Sequence, residues 1–298
     1  MPVGATRLAV VLHMLKNQPW AVRVKRDIES VLLGHPSIQA EFADAGGDPA
    51  AQDRLLEEHL DKGVDACIVV PIDAERIRPV LRRYQEANVP VIVIGIDVGD
   101  EKLYQAVILG DHLQFGREVG AFFATAMEGA GSIVEILGIV ASTVTTDRSQ
   151  GFRESLAAYP RMQIIDTCVG DWTYDRALRE FAQVLSRHKR IDAVFAHNDE
   201  MASAALDAAA AVGREAEMLV AGIDALPSSI RLVSQGRLAA TFLYPSPGKD
   251  AVYALLAVLN HEQCLKRVML HTWPFRSNSR IRAWREARRR SGPSPAGG

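Results

Sequence analysis

Cysteine is scarce in this chain. There are three among 298 residues, Cys67, Cys168 and Cys264. They lie far apart, with no C-x-x-C pair and no Cys/His cluster, which excludes a disulfide framework and a Cys/His zinc centre. Cys67 sits inside an apolar run and reads as a small buried hydrophobe. No apolar run approaches the roughly 18 residues of a membrane span. The short run at 7–12 is too brief for a signal-peptide core and has no small-residue cleavage site after it, so it reads as a first strand and the export signal is absent from this sequence. A net charge of −2 demands neither nucleic acid nor an anionic membrane as partner. There is no P-loop, no G-x-G-x-x-G after a strand, no G-x-S-x-G and no H-E-x-x-H. His197 beside Asp199 is not a nucleophile arrangement, so the expectation is a protein that is not an enzyme and uses no cofactor or metal. Only about six residues precede the first strand, too few for a helix-turn-helix headpiece.

What is present is alternation. Short β-branched runs at 8–12, 38–43, 66–70, 91–94 and 106–109 alternate with helical stretches. A second set follows at 132–137, 163–167, 193–196, 219–222 and 239–243, with a last strand near 268–273. Many of these runs are continuously apolar, as in strands covered by helices on both faces. Asp48-Pro49 places a capping carboxylate before a proline at the first helical position, and Gly63 closes that helix; Gly34 stops the first helix. The fold class is α/β: strand–helix alternation predicts parallel sheets with right-handed crossovers. Ten or eleven strands fit two sheets of five or six better than one, with the break near Leu109-Gly110-Asp111. The predicted division is 1–110 plus 245–272 for an N-terminal lobe, 111–244 plus 273–285 for a C-terminal lobe, and a disordered tail at 286–298.

In parallel α/β sheets ligands bind beyond the carboxyl ends of the strands. The residues there are His13, Lys16, Asn17 and Trp20 after the first strand, Asp171, Trp172 and Thr173 after 163–167, His197, Asn198 and Asp199 after 193–196, then Asp224 and Tyr244. Carboxylates and amides take paired hydrogen bonds from hydroxyls, and a flat aromatic surface stacks on the apolar face of a sugar ring. The inventory suits a small, polar, sugar-like ligand. Each residue also has a plainer reading. A loop tryptophan can be a packing plug, Asp199 or Asp224 the cap of the helix that follows, and Tyr244 a turn residue before Pro245.

These segments match a known family. The stretch Ala193-Val194-Phe195-Ala196-His197-Asn198-Asp199-Glu200-Met201-Ala202 is close to A-V-F-A-x-N-D-x-M-A, and Val220-Ala221-Gly222-Ile223-Asp224 follows V-x-G-x-D. Leu238-Ala239-Ala240-Thr241 matches the strand leading to a hinge, Arg148-x-x-Gly151-Phe152 an R-x-x-G-F helix start, and Asn17 with Pro19 an N-x-P segment. Over nearly the whole chain, 7–273, the sequence resembles the ribose-type periplasmic sugar-binding proteins, a fold shared with the effector-binding cores of LacI-type repressors. The resemblance implies two Rossmann-like lobes with parallel sheets, joined by three segments near Gly110, Tyr244 and His271. The ligand lies between them, and hinge closure is the functional motion. Carried over position by position, the ligand-binding residues are His13, Asn17, Trp20, Asp97, Thr146, Trp172, Asn198, Asp224 and Tyr244. Where ribose-type members carry an Asp-Arg pair, this chain has Gly95-Ile96, with Asp97 two places later. Thr146 stands at the place of a second pocket arginine, and Val70 at that of an asparagine. The implied site is less basic than a ribose site and suits a different sugar, a polyol or another small polar molecule.

The function implied is a monomeric solute-binding protein of the periplasm or cell envelope that serves an ABC transporter permease or a receptor, with no nucleic-acid partner. The alternative is the ligand-sensing domain of a transcriptional or signalling regulator. Residues 276–290 carry seven arginines against one glutamate. Such a cluster can bind phosphate or lead towards a lost membrane or signalling module, but the reading adopted is a solvated terminal extension.

Overall fold

A computed structural model describes residues 5–16 and 18–290 of the chain. The chain divides into two compact units, one of Met1–Gly110 with Pro245–Leu270, the other of Asp111–Tyr244 with His271–Gly298.

The first unit runs β1 (Thr6–Leu12), α1 (Pro19–Leu32), β2 (Ile38–Asp44), α2 (Pro49–Asp61), β3 (Ala66–Val69), α3 (Arg78–Glu86), β4 (Val91–Ile94) and β5 (Ala106–Gly110). The second runs α4 (His112–Ala126), β6 (Ala130–Leu137), α5 (Thr143–Leu156), β7 (Arg161–Val169), α6 (Tyr174–Arg187), β8 (Ala193–Ala196), α7 (Asp199–Ala211), β9 (Leu219–Asp224), α8 (Pro227–Ser234) and β10 (Ala240–Leu243). The chain then returns to the first unit for α9 (Gly248–Leu259) and β11 (Arg267–Leu270), and ends in the second with β12 (Pro274–Arg276) and α10 (Asn278–Arg290).

Each unit holds one six-stranded sheet, in the order β11-β5-β4-β3-β1-β2 and β12-β10-β9-β8-β6-β7. The first is parallel throughout. In the first unit, strand alternation sends Leu8, Val10 and Leu12 to one apolar layer with Val24, Ile28 and Leu255, and Ala9 and Val11 to the opposite layer with Leu56, Leu81 and Tyr84. Both faces are therefore covered, which is why its central strands read as unbroken apolar runs. Cys67 is fully buried in the second of these layers. Asp48 caps α2 by accepting from the Ala50 N–H at 2.9 Å, with Pro49 at the first helical position.

Two terminal expectations change. The single strand expected near 268–273 is two short strands in different sheets: β11 pairs in parallel with β5, and β12 pairs antiparallel with β10. Pro274, which has no N–H to give, is tolerated because β12 is an edge strand. The basic end is not a solvated extension, and residues 286–290, expected in a disordered tail, are helical; 291–298 lie outside the described residues. Helix α10 packs through Trp284, which is 4% exposed and donates its indole N–H to the Glu217 carbonyl at 2.9 Å. Arg285 donates to the Thr125 and Ala126 carbonyls at the end of α4 (2.7 and 2.9 Å), Arg280 to the Met218 carbonyl at 2.9 Å, and Arg288 pairs with Asp192 at 2.9 Å. Guanidinium groups here satisfy carbonyls left open at a helix end and at the start of a strand.

The second sheet carries an unusual load on the face covered by α4 and α5. Phe195, Phe152 and Phe123 pack there in a tilted and an edge-on pair, with centroids 4.7 and 6.2 Å apart. The two helices approach closely because glycine replaces side chains at their crossing. A Cβ on Gly116 would lie 2.1 Å from the Arg148 carbonyl oxygen, and one on Gly151 1.9 Å from that of Leu113. We expect Gly151→Ala to lower stability in urea denaturation by about 1–3 kcal/mol, at the upper end because the obstacle is backbone. Gly213→Ala, which has a φ of +72° but open space around it, should cost only about 1 kcal/mol.

Candidate ligand-binding site

In the second unit, four of the residues expected at the site lie at the carboxyl ends of strands of one sheet. Trp172 follows β7, Asn198 follows β8, Asp224 ends β9 and Tyr244 follows β10. Tyr244, Asn198 and Asp224 are each buried, at 5 to 6% exposure. What draws the group together is a residue the sequence reading took only as part of a helix-start motif, Arg148 of α5. It is 2% exposed. Its guanidinium carbon lies 5.4 Å from the Trp172 ring centre and 5.7 Å from that of Tyr244. Its Nε donates to His112 Nδ1 at 3.4 Å, and a terminal nitrogen donates to the His197 carbonyl. Burial works against its charge; Asp224, Tyr244 and Asp199 work for it.

The acceptor role of His112 Nδ1 places its proton on Nε2. Burial and the neighbouring guanidinium hold this imidazole neutral, well below the usual histidine range. Its ring meets the edges of Phe115 and Tyr244 at 5.3 and 5.0 Å. On the adjoining strands, His197 Nε2 lies 3.0 Å from the fully buried Glu135 carboxylate, which also accepts from Arg153 at 2.7 Å. Burial would raise the Glu135 pKa, but His197 and Arg153 reverse this and hold it below the ordinary value.

Trp172 sits on a strained turn, with φ of +49° at Asp171 and +64° at Trp172 itself. Its indole lies over Gly138, where a Cβ would come within 2.1 Å of the ring. Asn198 holds the turn by donating its side-chain amide to the Trp172 carbonyl at 3.0 Å, while its Oδ1 accepts from the Met201 N–H at 2.9 Å. Asn198, not Asp199, is thus the cap of α7. Asp199 is wholly buried one place further on, where burial and the Asp224 carboxylate raise its pKa.

In the first unit, the His13 and Trp20 rings lie 5.8 Å apart, tilted by 57°. Both are half-buried. Gly95, with a φ of +86°, forms a seat for Trp20: a Cβ there would lie 3.5 Å from the indole and 3.6 Å from Val70. Burial lowers the His13 pKa to about 4, against an opposing pull from Asp44.

Of the remaining three expected residues, Asp97 and Thr146 are not brought to these groups. Asp97 is committed elsewhere: its carboxylate accepts from the Gly99 N–H at 2.8 Å and the Tyr104 hydroxyl at 3.3 Å, and pairs with Arg267. Thr146 is exposed and bonds back to the Ser142 carbonyl at 3.4 Å. It precedes Arg148 by two residues, and positions two apart on a helix do not share a face. Asn17 lies outside the described residues.

Comparison with known proteins fits this arrangement. The family model described as "Periplasmic binding protein domain" matches residues 8–263. The chain belongs to that family. It is 29% identical over 227 residues to the galactofuranose-binding protein YtfQ of Escherichia coli (strain K12), covering 73% of this chain and 71% of that protein. It is 28% identical over 225 residues to the ribose import binding protein RbsB of Bacillus subtilis (strain 168), covering 76% of this chain and 72% of that one. Among solved structures, the fructose-binding periplasmic domain of the hybrid two-component system BT1754 superposes with a TM-score of 0.86 at 30% identity, over 96% of this chain and 95% of that one. The family match ends before β11, so β12 and α10 lie beyond it.

The pKa of His13 generates a pH prediction. Folded protein keeps this imidazole neutral down to about pH 4, whereas the unfolded chain protonates it near about pH 6.5. The folded state therefore binds fewer protons across that window, and the His13 contribution to stability falls as pH falls through it. His13→Gln should show a smaller drop in urea midpoint between pH 7 and pH 4.5 than the wild type.

Proposed function

We propose that this protein is a solute-binding protein that captures a small, uncharged polar ligand, a sugar or polyol, for an ABC-type importer. The observation that carries the reading is the convergence of Trp172, Tyr244 and Asp224 on the buried Arg148 guanidinium, with Asn198 bonded to the Trp172 carbonyl beside them. An aromatic face suits the C–H side of a sugar ring, and buried carboxylate and amide groups suit its hydroxyls. The Arg148 charge is already offset by Asp224 and Asp199, which favours an uncharged ligand over an anion. Ligand contacts are assigned to Trp172, Asn198, Asp224, Tyr244 and Arg148 in the second unit, and to His13 and Trp20 in the first.

The names of the relatives support the class: galactofuranose binding, ribose import and fructose binding. They do not choose among sugars. Val70 and Gly95 pack under Trp20 and bring no charge to it, which favours a ligand gripped by stacking and neutral hydrogen bonds on that side. The protein acts as a monomeric carrier without a catalytic step, in the periplasm or cell envelope. No helix among the described residues is long and apolar enough to cross a membrane.

A thermal-shift screen tests the reading directly. D-ribose, L-arabinose, D-galactose, D-fructose, xylitol and myo-inositol form the panel, with glucose 6-phosphate and glutamate as charged controls. A sugar or polyol should raise the apparent melting temperature and change tryptophan fluorescence, because a ligand that binds only folded protein stabilises it. Trp172→Ala should weaken that binding by about tenfold or more without unfolding the protein, as expected for loss of an aromatic anchor. A panel in which only the charged controls shift the melting point would refute the sugar-like assignment, and unchanged affinity in Trp172→Ala would remove Trp172 from the site.

A further inference from the structure

Three separated stretches, Asn198-Asp199, Gly222 to Asp224 and Ala240-Thr241, meet at one point in the second unit. Asp199 is completely buried. One carboxylate oxygen, Oδ1, accepts the Thr241 hydroxyl at 2.6 Å; the other, Oδ2, accepts the Leu226 N–H at 2.8 Å. The Thr241 hydroxyl oxygen in turn accepts the Ala225 N–H at 3.1 Å. The two backbone donors directly after Asp224 are therefore both held by one Asp–Thr pair.

The segment they hold is not a relaxed one. Asp224 has a φ of +129° and Ala225 one of +51°, two consecutive residues with side chains in the region that favours glycine. Such a turn persists only when its surroundings over-determine it. Gly222 completes the device, because a Cβ there would lie 2.4 Å from the Asp199 carboxylate. The carboxylate can reach the turn only across a residue without a side chain.

We propose that Asp199 and Thr241 are positioning residues that fix the strained Asp224–Ala225 turn and thereby aim the Asp224 carboxylate at the ligand. Neither touches the ligand; each acts through Asp224. The proposal rests on the reading that Asp224 is a ligand contact. Its geometric half, a turn locked by two side chains, holds with or without ligand, so the two can fail separately.

The test compares wild type, Thr241→Ser and Thr241→Val, each alone and with Asp224→Asn. The first readout is hydrogen exchange of the unliganded protein. Thr241→Val should speed exchange at the Ala225 and Leu226 amides by about tenfold or more while β8 and β10 stay protected, and Thr241→Ser should match wild type. The second is affinity for whichever panel sugar binds the wild type. Thr241→Val should weaken it by about tenfold, the scale of one lost positioning interaction; Thr241→Ser should not. The loss should vanish in the Asp224→Asn background, which a merely structural role would not produce. Unchanged exchange at Ala225 and Leu226 in Thr241→Val would overturn the clamp. Faster exchange with unchanged sugar affinity would overturn its link to binding. A wild type that binds no panel sugar would instead count against the proposed function and leave the exchange result to decide the clamp. Should Thr241→Val not fold, Asp199→Asn takes its place, since Thr241 and Leu226 donate to different carboxylate oxygens and an amide has only one; the same exchange and affinity outcomes decide.

Discussion

Burying a guanidinium costs on the order of several kcal/mol unless its charge and its donors are both answered. Arg148 is answered on every side, and much of the second unit is arranged to do so. Its donors go to His112 and to the backbone of His197, its faces meet Trp172 and Tyr244, and its charge is balanced by Asp224 and Asp199. The balance is unequal, with two carboxylates for one cation. The raised pKa of Asp199 expresses that inequality: it is the deeper of the two acids, and its oxygens hold Thr241 and Leu226. In the proposed function Asp224 is the one of the two assigned to the ligand.

The same guanidinium depends on helix packing. Arg148 reaches its partners because α5 lies almost on top of α4, and that approach exists because Gly116 and Gly151 have no side chains to keep the backbones apart. The glycine of the R-x-x-G-F segment and its arginine form one arrangement. The glycine sets the depth of the helix, and the arginine uses that depth to enter the cluster. Below it, the Glu135–His197 pair with Arg153 occupies the otherwise aromatic layer beneath α5. It ties β6 to β8, whose end carries Asn198.

Strand positions were plain in the sequence because continuous apolar runs have few alternatives in a parallel sheet. So were the helix cap at Asp48 and the burial of Cys67. What sequence spacing did not reveal was orientation. Thr146 and Arg148 are two residues apart, and only the helical phase of α5 separates the exposed hydroxyl from the buried cation. Asp97 follows β4 at a plausible site position, but Arg267 and Tyr104, distant in the chain, take its carboxylate first. Asn198 takes the cap expected of Asp199 for the same reason. Either side chain can cap a helix, and the choice falls to whichever neighbour needs the other. The fate of the basic end was equally hidden, since arginines at helical spacing look alike whether they face water or the open carbonyls of Thr125, Ala126 and Met218.

Asn198 and Asp199 together explain why two adjacent polar residues stand at the end of β8. Each holds a different strained turn. Asn198 binds the carbonyl of Trp172, on a turn with two positive φ angles; Asp199 binds the amide that follows the Asp224–Ala225 turn, which has two more. The Trp172 and Asp224 turns are thus set by neighbouring side chains at the start of a single helix, whose first turn is capped by the Met201 N–H donating to Asn198. A site built this way spends backbone strain, on the order of 1–3 kcal/mol per residue, to keep its groups in place before ligand arrives. The first unit follows a different course. There Val70 and Gly95 lie beside Trp20 without adding charge, and the neutral His13 next to it adds a hydrogen-bonding ring without a charge.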